Sequence, residues 1–320
     1  MQTLRVRSGE VALAVQCRGE ASRTPIVLVH GFPDNHGVWA PVARQLAERY
    51  YVISYDVRGA GDSDAPSRTA DYRIERLAED LRAVADIACP GRKFHLVAHD
   101  WGSIQSWEAV TDPDFQDRIA SYTTISGPCL DHVGYWMRRR LLRPTLRHLR
   151  ELFGQLLHSW YIYLFHLPWL MPLLWRHVIA PRWPAVLMRL EGLASEPSAT
   201  RAKDGYHAIK LYRANMLPRL FRPRRRPTRV PVQVIVPQQD KHVRPQLADE
   251  LPHWAARLWR RDVEAGHWSL LLVQPEVLAG YVAEFVDCVE SGQEAPALAR
   301  ARVENLYSSR HSGASRYPVP

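Results

Sequence analysis

Asp100 ends the apolar run Phe94-His95-Leu96-Val97-Ala98-His99 and is flanked at two-residue spacing by Ala98 and Gly102. A sharp strand-to-helix turn needs small residues at those places, because the turning residue is strained and the adjacent chain packs closely. A carboxylate presented on such a turn attacks carbon and becomes an alkyl ester. That chemistry points away from esters and amides and toward electrophilic alkyl carbons, namely epoxides and alkyl halides. Ser103 and Ser106 lie past the turn, on the helix that should follow, which disfavours a serine nucleophile.

Three further segments supply what a carboxylate nucleophile lacks. His30-Gly31-Phe32-Pro33-Asp34 directly follows an apolar strand. A turn there can aim the Phe32 backbone N–H at the reacting centre, with the Trp101 N–H as its partner in an oxyanion hole; one such donor is worth roughly 2.7–4 kcal/mol. Asp240 follows the strand-like run Val232 to Val236, and His267 sits in Glu264-Ala265-Gly266-His267-Trp268 between the last strand and a helix. His267, oriented by Asp240, would take a proton from the water that attacks the ester. Asp131, just past Thr123 to Ser126, is an alternative orienting acid. Taken singly, Asp100 could cap a helix and Asp240 could make a turn. The cycle calls for no cofactor and no metal.

Positioning these groups requires an alternating scaffold. Leu4 to Val6 and Val11 to Val15 form an opening hairpin, and Ile26 to Val29 and Tyr51 to Tyr55 read as buried strands. Helical spacing runs over Val42 to Arg49 and Ile74 to Ile87, and Pro90-Gly91 closes the second helix. Strand–helix alternation predicts a mostly parallel central sheet. From about Leu130 to Thr228 the chain is rich in Leu, Trp, Arg and Pro and reads as helical, an inserted cap. Sheet character returns at Val232 to Val236 and Arg257 to Val263, and Pro275 to Cys288 gives a last helix. The expected division is a core over 1–129 and 229–290, a cap over 130–228, and a disordered tail or linker over 291–320.

With 320 residues and a formal charge of +9, the chain is long enough for one large α/β domain with an insertion. Arginine clusters at Arg138 to Arg150 and Arg219 to Arg229 are expected to be a solvated helix face and a basic loop; no motif ties them to nucleic acid. Cys17, Cys89, Cys129 and Cys288 have no paired spacing, so reduced thiols and cytoplasmic residence are the expectation. The N-terminal residues lack the apolar segment of a secretory signal. Leu152 to Trp175 carries no formal charge but is interrupted by Gln155, His158, Ser159, His166, Pro168 and Pro172. A buried cap helix that touches lipid or an apolar substrate is expected there rather than a membrane span. Peripheral membrane contact and a homodimer both stay open.

His-Gly-Phe-Pro, then Ala-His-Asp-Trp-Gly, then Asp240 and Gly-His-Trp resemble the epoxide hydrolases of the α/β-hydrolase fold, over roughly residues 5 to 290. The order nucleophile, acid, histidine is that fold's order. The resemblance implies a small-molecule epoxide and water as reactants. It also implies two cap tyrosines that donate to the epoxide oxygen: Tyr161 in Ser159-Trp160-Tyr161-Ile162-Tyr163 and Tyr212 in Leu211-Tyr212-Arg213, with Tyr163 or Tyr206 as substitutes. The chain also resembles the hydrolase half of fused proteins in which such a domain precedes a short-chain dehydrogenase. No Gly-x-Gly-x-x-Gly follows a strand here, so no dinucleotide site is expected. Haloalkane dehalogenase is the nearest alternative, its halide held by Trp101 with Trp160, Trp169, Trp175 or Trp183. A non-catalytic ligand-binding protein on the same fold is the other.

Overall fold

A computed structural model describes residues 1–194 and 198–303. Nine strands form one sheet: β1 Gln2–Ser8, β2 Val11–Arg18, β3 Pro25–Val29, β4 Tyr51–Tyr55, β5 Phe94–His99, β6 Ile119–Ile125, β7 Val232–Pro237, β8 Leu258–Val263 and β9 Arg302–Val303. Their order is β1-β2-β4-β3-β5-β6-β7-β8-β9. β3, β4, β5, β6, β7 and β8 pair in parallel, whereas β1, β2 and β9 join antiparallel at the edges. Helices α1 Ala40–Leu46, α2 Ile74–Ala88 and α3 Trp101–Val110 alternate with the first strands.

Between β6 and β7 the chain is helical: α4 Leu130–Leu142, α5 Leu146–His158, α6 Trp160–Phe165, α7 Leu170–Leu174, α8 Trp183–Glu191 and α9 Arg201–Phe221. After β8 come α10 Ser269–Leu272, α11 Pro275–Ser291 and α12 Pro296–Ala301. The central strands are continuous apolar runs because helices cover both faces of a parallel sheet. Ile26 and Leu28 face α1 and α11, packing with Val42, Leu46, Leu278 and Val282. Val27 and Val29, one residue out of phase, pack on the other face with Leu77, Leu81 and Trp107.

The inner side of the helical insertion joins that second cluster through Phe165, Trp175, Leu187, Ile209 and Tyr212. Ion pairs reinforce the junction. Arg219, Arg224 and Arg226 converge on Glu108 and Asp131, and Arg219 also reaches Glu75. The second arginine cluster is therefore only in part a solvated basic loop: Arg222, Arg224, Arg225 and Arg229 are exposed, whereas Arg219 and Arg226 are drawn into the fold. Paired carboxylates within reach lift the desolvation penalty that would otherwise keep those guanidinium groups in water.

Two other expectations are corrected. Residues 292–303 are not a disordered tail: Leu298 is buried against Trp259 and Phe285, and β9 pairs with the end of β8. The polar run from Ser308 to Ser315 lies outside the described residues. Leu152 to Trp175 is not one buried helix but parts of α5, α6 and α7 with a following turn, and much of it faces outward. No helix among the described residues is long and apolar enough to cross a membrane. All four cysteines are free.

Candidate active site

Asp100 stands between β5 and α3 with φ +53° and ψ −125°, a conformation that L residues rarely adopt. Glycines make that turn possible. A Cβ on Gly102 would lie 2.2 Å from the Val29 carbonyl oxygen, and one on Gly31 would lie 2.3 Å from Asp100 Oδ1. Strand β3 and its following turn thus press directly on the elbow. The Phe32 N–H donates to Asp100 Oδ1 at 2.6 Å, and the Trp101 N–H reaches the same carboxylate. Oδ1 of Asp100 consequently sits on the Phe32 backbone donor while Oδ2 faces His267.

His267 Nε2 lies 3.5 Å from Asp100 Oδ2, and its Nδ1 lies 2.8 Å from Asp240 Oδ2. Asp240 Oδ1 accepts the backbone N–H groups of His242 and Val243 at 2.7 and 2.9 Å, which fixes the carboxylate's plane. Burial disfavours the imidazolium, but Asp240 and Asp100 outweigh it and raise the His267 pKa well above its ordinary value. Burial also opposes charge on Asp100 and Asp240, yet His267 holds both below the usual carboxylate range. The three groups form a carboxylate–imidazole–carboxylate triplet in which each favours the charged form of its neighbour. Asp131, the alternative acid, is instead held by Arg219, Arg224 and Arg226.

Tyr161 and Tyr212 close the site from the insertion. Their rings are 6.2 Å apart, and Tyr212 packs edge-on against Trp101 at 4.7 Å and Phe32 at 5.5 Å. Burial first, then the charge of Asp100 and its neighbours, push both phenols above their ordinary pKa, so both are protonated donors. Tyr163 points outward, and Tyr206 packs on His207.

Three further groups stand in or beside the site: His99 belongs to the Ala-His-Asp-Trp-Gly run, whereas Glu191 and His242 carry no local sequence signal. Glu191, the last residue of α8, accepts the backbone N–H of His267 at 2.8 Å and of Trp268 at 3.0 Å. Gly266 has to be small there, since a Cβ would meet Glu191 Oε2 at 2.8 Å. His242 stacks edge-on to His267 at 5.0 Å and to Tyr161 at 5.5 Å, and burial pushes its pKa down to about 4. His99 is kept neutral by burial at about 3, and its Nε2–H donates to the His267 carbonyl at 2.8 Å. Only their folded neighbours give these residues a role.

Comparison with known proteins agrees with this architecture. Residues 24–272 match the family model described as alpha/beta hydrolase fold. The chain is 38% identical over 305 residues to a Mycobacterium tuberculosis protein named probable oxidoreductase EphD, covering 92% of this chain and 50% of that protein. It is 28% identical over 166 residues to epoxide hydrolase 3 of Mus musculus, covering 52% of this chain and 41% of that one. The chain thus spans about half the length of the first of these relatives or less of the other. A crystal structure of Bacillus megaterium epoxide hydrolase with an inhibitor superposes with a TM-score of 0.68 at 19% identity, over 89% of this chain and 100% of that one. The chain belongs to the alpha/beta hydrolase fold family.

Proposed function

We propose that this chain hydrolyses an epoxide to a vicinal diol through an ester on Asp100, with 1–129 and 229–290 as the catalytic core and 130–228 as the cap. The observation that carries this is the split environment of Asp100: Oδ1 on the Phe32 backbone donor, Oδ2 toward His267, two protonated phenols beside them. The names of the epoxide hydrolase relatives support the same assignment.

Asp100 Oδ2 attacks one oxirane carbon, the ring C–O bond breaks, and Tyr161 and Tyr212 donate to the forming alkoxide. Ester formation removes the charge of Asp100, one of the two carboxylates that keep His267 protonated. The imidazolium then releases a proton, which balances the one the alkoxide gains. Neutral His267 accepts a proton from water, and the hydroxide adds to the ester carbon. The oxyanion develops on Oδ1, already seated on the Phe32 N–H, with the Trp101 N–H reaching the same carboxylate. Collapse breaks the bond between Oδ2 and the carboxyl carbon, the proton of the added hydroxyl passes to the departing oxygen, and the diol leaves as the carboxylate–imidazolium–carboxylate triplet is regenerated. Phe32, Phe165, Trp175 and Tyr212 form the aromatic wall beside the nucleophile, which favours an apolar substituent on the epoxide.

A dehalogenase would need N–H donors for its halide. Phe32 has none on its side chain, the Trp101 indole is within reach of the Tyr212 hydroxyl, and the Trp175 N–H donates to the Arg201 carbonyl. Trp160 and Trp169 point outward. Product analysis on aryl and long-chain epoxides alongside haloalkanes, for wild type and Asp100→Ala, tests the assignment. Diol formation that vanishes with Asp100 is expected, and His267→Gln should accumulate a covalent ester visible by mass. Halide release would make the protein a dehalogenase; no turnover of either class would return it to ligand binding.

A further inference from the structure

Sixteen of the twenty exposed large apolar side chains among the described residues lie between Leu141 and Phe221. A surface patch of that density on one element group marks an interaction face. On α5, Leu146, Arg150, Phe153 and Leu157 recur at spacings of four, three and four, so they form one outward stripe. Leu146 is 83% exposed and Leu157 73%. Trp160, Trp169, Leu170 and Leu173, in and beside the neighbouring helices α6 and α7, are also exposed, Trp160 by 61% and Trp169 by 80%. Trp169 has φ +61°, so backbone strain is tolerated where an indole is held in solvent.

We propose that this outer face of the insertion, α5 to α8, docks on an anionic lipid bilayer. Charge distinguishes that partner from others. Between Leu130 and Leu190 the chain carries nine arginines and two carboxylates, Asp131 and Glu151. Both carboxylates are engaged within the molecule, Asp131 by Arg219, Arg224 and Arg226, and Glu151 by Arg140 and Arg147. Arg143, Arg150, Arg176 and Arg189 are exposed among the apolar side chains. Tryptophan, leucine and arginine on one face are the composition of interfacial helices, whose arginine stems lie along the apolar boundary while the guanidinium reaches phosphate. A second copy is a poor occupant, because a two-fold interface would set this arginine-rich patch against itself.

Helix α6 links the face to the interior. It turns Trp160 and Tyr163 outward while Tyr161 and Phe165 pack against Tyr212. The bilayer would therefore lie about one helix diameter, roughly 10 Å, from the aromatic wall of the site. The docking proposal does not depend on the reaction assigned above.

Co-sedimentation with vesicles of phosphatidylcholine alone and of phosphatidylcholine with phosphatidylglycerol tests it directly. The protein should partition onto the anionic vesicles, with a blue shift in tryptophan emission and weakening in high salt. The double variant Trp160→Ser/Trp169→Ser and, separately, Arg150→Glu/Arg176→Glu should each lower that partitioning at least tenfold while leaving the melting temperature and circular dichroism unchanged. Binding that neither variant alters would overturn the proposal, as would equal binding to neutral vesicles. Absence of vesicle binding together with a dimer in light scattering that the tryptophan variant dissolves would assign the face to a second copy instead.

Discussion

Glu191→Gln tests whether the insertion helps to hold His267, the histidine of the proposed cycle. Glu191 binds two consecutive backbone N–H groups, those of His267 and Trp268, at 2.8 and 3.0 Å. Glutamine keeps the length and shape but offers one acceptor oxygen, and its amide N–H₂ must face the other N–H. One charge-assisted hydrogen bond is lost, worth about 1.5–3 kcal/mol when fully enclosed. Glu191 is only partly buried, so water recovers part of that, leaving about 1–2 kcal/mol on the histidine loop. That corresponds to a five- to thirty-fold change. Under the proposed cycle His267 acts in ester hydrolysis, so rapid-quench kinetics should show alkylation of Asp100 nearly unchanged and deacylation slowed by that factor. Gly266→Ala should mimic it, since the added methyl displaces the same carboxylate. Equal losses in both steps, or none in either, would refute the assignment of Glu191 as a positioning residue.

Asp131→Asn should lower the melting temperature, because three arginines lose a shared carboxylate, while turnover per folded molecule is retained; Asp240→Asn should cost about 10⁴ in turnover with the fold intact. The raised His267 pKa contributes stability that is fully present below pH about 6.5 and lost as pH rises through the folded value. Asp100 and Asp240, held low, contribute stability that is lost only as pH falls through their folded values. Denaturation profiles should therefore decline on the alkaline side for wild type and flatten there in Asp240→Asn, whose single-turnover deacylation limb should also move to lower pH. Tyr212→Phe removes a donor to the leaving oxygen and should slow ester formation by about 10²-fold without slowing deacylation, which stopped-flow quenching of Trp101 resolves.

Local requirements made much of this molecule legible in its sequence. Ala98, Gly102 and Gly31 are small because the chain crosses itself at Asp100, and that need is visible in a single sequence. Continuous runs such as Ile26 to Val29 announce strands covered on both faces. Strand ends were blurred by a residue or several: β6 begins at Ile119 rather than Thr123, since Ala120 favours strands weakly and Ser121 interrupts the apolar run. Glu191 and His242 gave no signal because their partners are about 76 and 25 residues away, at His267. Arg219 and Arg226 of the second arginine cluster depart from a solvated loop for the same reason, their carboxylates being supplied by α2, α3 and α4. Leu298 looked like part of a polar tail because the apolar surface that receives it, Trp259 and Phe285, is distant in sequence.

The two oxygens of Asp100 do not share a fate. Oδ1 is tethered by the Phe32 N–H, and Oδ2 faces His267. Under the proposed cycle, if the carboxylate keeps that orientation through each turnover, Oδ2 departs in the diol every time and an oxygen from water takes its place, whereas Oδ1 is never exchanged. The protein is then a reagent that surrenders one atom per turnover and is rebuilt by solvent. Repeated turnover in ¹⁸O-enriched water would mark a single oxygen of one side chain, and the first diol released would carry an atom that had belonged to the polypeptide.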